Sequence, residues 1–371
     1  MEVSGGPTPR DALEGVVLEA LRRPPCLVSF SGGRDSSAML ALAVAVARRE
    51  GLPLPIPATV RFPDASETEE NSWQESVVAH LGVQDWQRLT ITDELDVLGP
   101  MATPILRRHG LLYPCNTHFH APILDAGSGG SLLTGVGGDE LMTSQLWGRV
   151  AAVLYRSDPP RPTDVLRVGA ALAPRLIRGR IVNVKEKLTV PWLQRDVELL
   201  VCRRAMSWYA TQPIRFDRVL REWWWPSRFV QLGRYSLELV AHDRDVRVFH
   251  PLSDPRVFQA VAGARGPVGY RTRSEAMADL FGELLPATTV RRTGKASFDG
   301  VIFGPYSREF LEQWSGRGIP EDLVDARQLR DSWTGPSVDI RNLLMLQGAW
   351  LADQGLPENG VAFSEFPEAD G

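Results

Sequence analysis

The sequence predicts an α/β protein, a doubly wound parallel sheet followed by a mostly helical C-terminal region. Three observations predict it. Short apolar segments alternate with segments of helical period from Cys26 to Gly135. The first apolar segment runs through a glycine turn into a long Ala/Leu-rich helix, the order of a strand–loop–helix unit. Past Met142 the strand signals fade, while helical periods broken at Ser157–Pro162, Pro191, Pro213 and Pro226 continue to about Trp350.

Each element has a local cause. Leu13, Val16, Val17 and Leu21 recur at helical spacing within Pro9–Arg23, and Pro24 and Pro25 stop that helix. Cys26-Leu-Val-Ser-Phe30 is brief, apolar and bounded by proline and glycine, which suits a strand buried on both faces. Ser36–Glu50 follows as a helix. Ile56–Phe62 reads as the next strand, Thr68–Leu81 as a helix, Asp85–Ile91 as a strand, Pro114–Ala126 as a helix and Ser131–Gly135 as a strand. The expected organisation is an N-terminal helix over 1–24, an α/β domain over 25–150, a helical region over 151–356 and a fraying acidic tail over 357–371.

Composition narrows the function classes. The chain has 371 residues, 43% hydrophobic and 23% charged, which excludes disorder and collagen and gives a prior of two domains or three. The net charge of −4 supplies no field that would gather nucleic acid. The longest apolar run, Ala38–Ala47, is far short of the ~20 residues of a membrane span. No basic start with an apolar core marks a secretory signal, so a cytoplasmic location is expected. Cys26, Cys115 and Cys202 form no CxxC pair, which supports neither a disulfide frame nor a zinc ribbon. Of 41 basic residues only Lys185, Lys187 and Lys295 are lysines, and many arginines fall between Arg149 and Arg247. Genomic composition bias explains the arginines; a basic middle region also suits an acidic ligand or peptide. Trp223-Trp224-Trp225 reads as a packed helix face ahead of a ligand cage.

The chemistry sits after the first strand, in Ser31-Gly32-Gly33-Arg34-Asp35-Ser36-Ser37. Adjacent glycines let several backbone N–H groups face one point, and the helix that follows adds its positive end, so the loop is an anion site. It has neither the lysine of a Walker A loop nor the spacing of GxGxxG. Asp35 would repel phosphate unless a divalent cation lay between them, and Mg²⁺ with nucleotide phosphates is the usual case. The alternative is a glycine turn with Ser and Asp capping a helix. Its place after a buried strand favours the ligand site, since ligands of alternating sheets gather at the carboxyl ends of strands.

Ser31-Gly-Gly-Arg-Asp-Ser36 resembles the pyrophosphate-binding SGGxDS loop of the N-type ATP pyrophosphatases. Gly135-Val-Gly-Gly-Asp-Glu-Leu141 resembles the GxGxDE signature of the synthetase domain of asparagine synthetase and its β-lactam synthetase and lasso-peptide cyclase relatives. Arg292-Thr-Gly-Lys295, with Phe298 after it and Leu285-Pro286 before it, is similar to the RxxK segment of that domain. Arg247 through Pro251-Leu252-Ser253-Asp254 resembles its ExRxPFLD stretch, with Asp245 in place of the glutamate and two extra residues. The resemblance spans roughly Cys26 to Val301 and implies the adenine nucleotide α-hydrolase-like fold.

The resemblance implies an AMP-forming carbon–nitrogen ligase that uses ATP and Mg²⁺. Ser31, Gly32, Gly33, Asp35, Ser36, Gly137 and Gly138 are then expected to hold the nucleotide, with Val60 and Arg61 beside the adenine and ribose. Asp35 and Asp139 are the expected metal ligands; a helix N-terminus that favours acids is the other account of Asp139 and Glu140. Lys295 is the expected catalytic residue because a lysine on a polar loop stands out in an arginine-rich chain, and Arg292 joins it. Asp64, Glu67, Glu69 and Glu70 read as helix-end electrostatics. Tyr113–His120 sits where relatives bind acyl substrate and adenylate; His118 and His120 read as polar packing ahead of zinc ligation.

Two departures shape the expectation. Glu2 follows Met1, and the phosphate loop begins at Ser31, which leaves no room for a glutaminase domain with an N-terminal cysteine. The nucleophile is then free ammonia, ammonia from a partner, or a substrate amine. Val136 stands where relatives place Glu or Tyr, and valine does no acid–base work, so a bulkier or less polar substrate than aspartate is expected. The expected partners are small-molecule or peptide carboxylate and amine substrates, with a pathway partner protein or a homo-oligomer open, and without nucleic acid or membrane. Specialised peptide or amino-acid-derived biosynthesis fits by analogy. A tRNA-modifying ATP pyrophosphatase and a non-catalytic nucleotide-binding partner are the rival readings.

Overall fold

Strand β1 (Cys26–Ser29) is buried on both faces and forms the centre of a five-stranded, all-parallel sheet. The other strands are β2 (Ile56–Arg61), β3 (Gln87–Thr90), β4 (Ser131–Leu133) and β5 (Arg247–Phe249), in the order β3-β2-β1-β4-β5. Leu27 faces Ile56 on one side and Leu132 on the other, which fixes the register at the centre. The computed structural model describes residues 6–63, 70–142, 145–181, 190–292, 299–335, 338–357 and 360. Most of the expected acidic tail falls outside these residues.

Helix α1 (Pro9–Leu21) opens with a capping box, in which Thr8 Oγ1 accepts from Asp11 N and the Asp11 carboxylate accepts from Thr8 N. Its apolar stripe of Leu13, Val16, Val17 and Leu21 is buried in the same core as α2 (Arg34–Glu50). Helix α2 is covered on nearly all sides from Ser36 to Ala47 and stops at Gly51, whose φ of 65° is a left-handed cap. Helix α3 (Asn71–Leu81) returns the chain to β3.

The elements differ from expectation in three places. The strand β5 lies where only helices were expected, because three residues are too few to show a period. Helix α4 (Ala102–His109) fills a stretch for which no element was expected. The helix expected over Pro114–Ala126 is instead a 3₁₀ turn, Thr117–His120, and a short α5 (Ala121–Ala126). Pro122 has no N–H to donate to the preceding turn, so the helix restarts in its own first turn.

The tryptophan triple is packed. Trp223 stacks on Trp208 at 4.0 Å, Trp224 meets Phe229 edge-on at 5.6 Å, and Trp225 meets Phe258 at 6.3 Å. Beyond it, Trp192, Trp314, Trp333 and Trp350 build a second core with Val97 and Leu98. Asp96, in the turns after β3, ties that segment to this core by accepting from the N–H groups of Leu98, Gly304 and Ser307, so its buried carboxylate is fully engaged. No described helix is long and apolar enough to cross a membrane.

Of three histidines near the carboxyl edge, His118 and His250 are buried and His120 is half-buried with its Nδ1 atom enclosed. Burial holds the rings of His118 and His120 down at about 4 and that of His250 at about 3, against an ordinary value of 6.5. The unfolded chain therefore takes up protons below pH 6.5 that the folded chain refuses. Stability is complete above that pH and falls as the pH drops toward about 4. The midpoint of chemical denaturation should decline between pH 7.5 and 5; a level midpoint over that range would show that these rings are not held neutral.

Candidate active site

In this strand order the chain turns to opposite sides of β1, and a crevice opens at the switch between the loops that follow β1 and β4. Those two loops carry Ser31-Gly32-Gly33 and Gly135-Val136-Gly137-Gly138. The sheet thus brings both glycine segments to one edge.

The first loop is folded on itself. Ser36 Oγ accepts from Ser31 N at 3.3 Å, donates to the Gly33 carbonyl at 3.1 Å and lies 3.1 Å from Ser31 Oγ. Gly33 is the N-cap of α2, and no side chain caps that helix, so its positive end is open to an anion. Gln74 Nε2 donates to the Ser31 carbonyl at 2.9 Å from below.

The second loop lies directly on the first. A Cβ on Gly135 would come within 3.0 Å of the Ser36 nitrogen, and one on Gly138 within 2.5 Å of the Asp35 carboxylate, so only glycine admits this approach. Gly137 rests against Leu252 and Ser253 in the turn after β5. Asp254, the last residue of that matched stretch, caps the next helix by accepting from Arg256 N at 2.8 Å.

Asp35, in the first turn of α2, and Asp139, in the first turn of the short α6 (Gly138–Met142), meet at a single guanidinium. Arg273 donates through Nη2 to Asp35 Oδ2 and through Nη1 to Asp139 Oδ1. The other Asp35 oxygen, Oδ1, is buried with no hydrogen-bond partner. Burial pushes the Asp35 carboxyl up, and Arg273 pulls it back down. Burial also raises Glu140, with Asp139 and Asp35 adding to the effect. The Asp139 side chain is 70% exposed. Two carboxylates from separate loops, one with a buried and unpaired oxygen, are a donor set that could hold a hard divalent cation.

Arg292 lies beneath the phosphate loop. Its Nη1 donates to the Gly32 carbonyl at 2.7 Å, both terminal nitrogens reach the buried Glu70 carboxylate, and the guanidinium stacks over Trp73 at 4.9 Å. Glu70, expected to serve the helix end, makes no cap hydrogen bond and is turned toward Arg292. Lys295, Phe298, Asp64, Glu67 and Glu69 lie outside the described residues.

A cavity of about 330 Å³ opens beside the loops. Val60 and Phe62 of the second strand's face, Phe119 and His120 of the 3₁₀ turn, and Ser31 and Val136 line it. It is mostly apolar, and Ser31 and Val136 join it to the two glycine loops, which suits a flat base and a less polar acyl group. Arg61 is turned away, toward Gln74 and Trp86. His118 Nε2 is 2.9 Å from the Leu95 carbonyl, a packing contact. Val136 is 42% exposed, and its N–H points to Thr134 Oγ1, which sits 2.7 Å from His250 Nδ1.

Sequence reasoning missed Arg273, Gln74 and the pairing of Glu70. Glu70 and Gln74 lie one turn apart on the helix face that meets the phosphate loop, a spacing visible in the sequence. Comparison with curated proteins finds no match. A family model described as asparagine synthase matches residues 9–339, a span that takes in all five strands, both glycine loops, Arg273 and Lys295. With the two signature loops in contact at the switch point and most of the chain matched, the protein belongs to the asparagine synthase family, whose members are ATP-dependent ligases that form amide bonds.

Proposed function

We propose that this protein activates a substrate carboxylate with ATP and passes the acyl group to an amine, in the biosynthesis of a peptide or amino-acid-derived product. The carboxylate oxygen attacks the α-phosphorus, the bond to the bridging oxygen breaks, and pyrophosphate leaves. The amine then attacks the acyl carbon of the adenylate and AMP departs. Adenylation is needed because a carboxylate at neutral pH is a poor acyl donor. The observation that carries this reading is the contact of the two glycine loops over the uncapped N-terminus of α2.

The roles follow from chemistry and position. The amides of Ser31–Gly33 and the positive end of α2 bind the leaving diphosphate as its charge grows. Val60 and its apolar neighbours hold the adenine away from water. A magnesium ion held by Asp35 and Asp139 supplies charge neutralisation at the diphosphate when bound. Arg292 acts through the loop it braces, and Lys295 offsets transition-state charge on the phosphoryl group. Val136 at the cavity mouth brings no acid or base, which supports an acyl group with apolar character.

Exchange of labelled pyrophosphate into ATP, run against a panel of carboxylic acids, tests the first half-reaction. Exchange that depends on one class of acid is the expected result, and ADP with inorganic phosphate in place of AMP with pyrophosphate would exclude the mechanism. Gly138→Ala drives a Cβ into the Asp35 carboxylate. A displacement of this size should cost about 100-fold in exchange rate with little change in thermal stability. Unaltered exchange in that variant would separate the two loops from the chemistry. Lys295→Met should leave nucleotide affinity near wild type while product formation drops by about 100-fold or more; product formed at the wild-type rate would remove the lysine from the reaction.

A further inference from the structure

We propose that Arg273 makes metal binding depend on nucleotide. In the free protein its guanidinium is the shared counter-ion of Asp35 and Asp139, and it releases them when triphosphate oxygens offer it a replacement. This inference rests on the reading of Asp35 and Asp139 as the pair that holds the metal.

The bridge has a one-sided geometry. Each terminal nitrogen of Arg273 engages a different carboxylate, so one planar group joins two loops that a point charge could not span as well. The position is electrostatically unfavourable by local rules. Arg273 is the first residue of the helix Arg273–Phe281, whose N-terminus is capped by Thr272 Oγ1 accepting from Glu275 N at 3.1 Å. A helix N-terminus repels a cation, so the two carboxylates, and not the helix, hold the side chain there.

The bridge is also built to be given up. Ala276, Met277, Leu280 and Phe281 bury the helix in the core shared with α2, so the backbone is fixed and only the tip of the long Arg273 side chain makes the bridge. The bridging pose leaves Arg273 Nε and Asp35 Oδ1 buried without hydrogen-bond partners among the described residues. A divalent cation arriving alone must displace a guanidinium that has nowhere else to go. With triphosphate seated at the end of α2, beside Asp35, the same guanidinium gains phosphate oxygens, which it binds in a matching fork. Metal and nucleotide then enter together, and the two carboxylates do not sequester a stray cation between turnovers.

Mn²⁺ binding followed by electron paramagnetic resonance tests this on the full chain, with and without the non-cleavable α,β-methylene analogue of ATP. Wild type should bind Mn²⁺ at least about tenfold more tightly with the analogue than without it. Arg273→Met should bind Mn²⁺ alone about tenfold more tightly than wild type, and the analogue should add little. Arg273→Lys keeps the charge and the fold but not the fork, and should fall between. Equal Mn²⁺ affinity of nucleotide-free wild type and both variants overturns the role of Arg273 and leaves the metal reading intact. If Asp35→Asn leaves the gained affinity of Arg273→Met untouched, the metal lies elsewhere, and both readings fall.

Discussion

The contact between the loops after β1 and β4 is the constraint on which the site depends. It exists because β1 and β4 are hydrogen-bonded neighbours, so segments far apart in the chain end side by side. Parallel pairing sets both loops at the same edge, and glycine at 135 and 138 removes the side chains that would hold them apart. A side chain at 135 would press on the backbone of α2 at Asp35 and Ser36, and one at 138 would displace the Asp35 carboxylate. The carboxylates of Asp35 and Asp139 reach a common guanidinium only through that closeness.

The phosphate loop is rigid because its polar groups are engaged away from the ligand side. Ser31, Ser36 and Gly33 bond among themselves, Gln74 holds the Ser31 carbonyl and Arg292 holds the Gly32 carbonyl. A buried Arg–Glu pair is a poor source of stability, since taking both charges out of water costs nearly what their attraction returns. The Arg292–Glu70 pair is better understood as geometry. The Ser31 and Gly32 carbonyls are taken up by Gln74 and Arg292, which leaves fewer acceptors to compete with an anion at the N-terminus of α2. Stacking on Trp73 fixes the plane of the guanidinium and hence the height of the loop.

The sequence showed the parts of this site that depend on local backbone chemistry. Glycine runs at strand ends, the acids in the first turns of α2 and α6, and the alternation that makes a parallel sheet all leave a mark within a few residues. The parts that depend on tertiary proximity left none. Arg273 is one arginine among many, and nothing near it in the chain says that its partners lie on α2 and α6. Glu70 follows other acids and reads as a helix start until Arg292 is placed beneath it. Strand β5 has three residues, too few for a period, and it was visible only as part of a longer motif. Lys295 was singled out by rarity, a signal of composition and not of geometry, and lies outside the described residues.

The site divides into an apolar region and a charged one, which the proposed reaction would use for its two halves. The cavity beside Val60 is mostly apolar, and His120 on its lining has its ring pushed down to about 4 by loss of water. The adjoining edge concentrates Asp35, Asp139, Glu140 and Arg273, where burial already raises Asp35 and Glu140 against their neighbours. In the proposed reaction a reactive acyl-adenylate needs the first region to keep water from its carbonyl, and the diphosphate it expels needs the second. Val136 lines the cavity and brings no titratable group to it. Under the same proposal, that one residue on the second glycine loop keeps the acyl side apolar up to the point where charge develops.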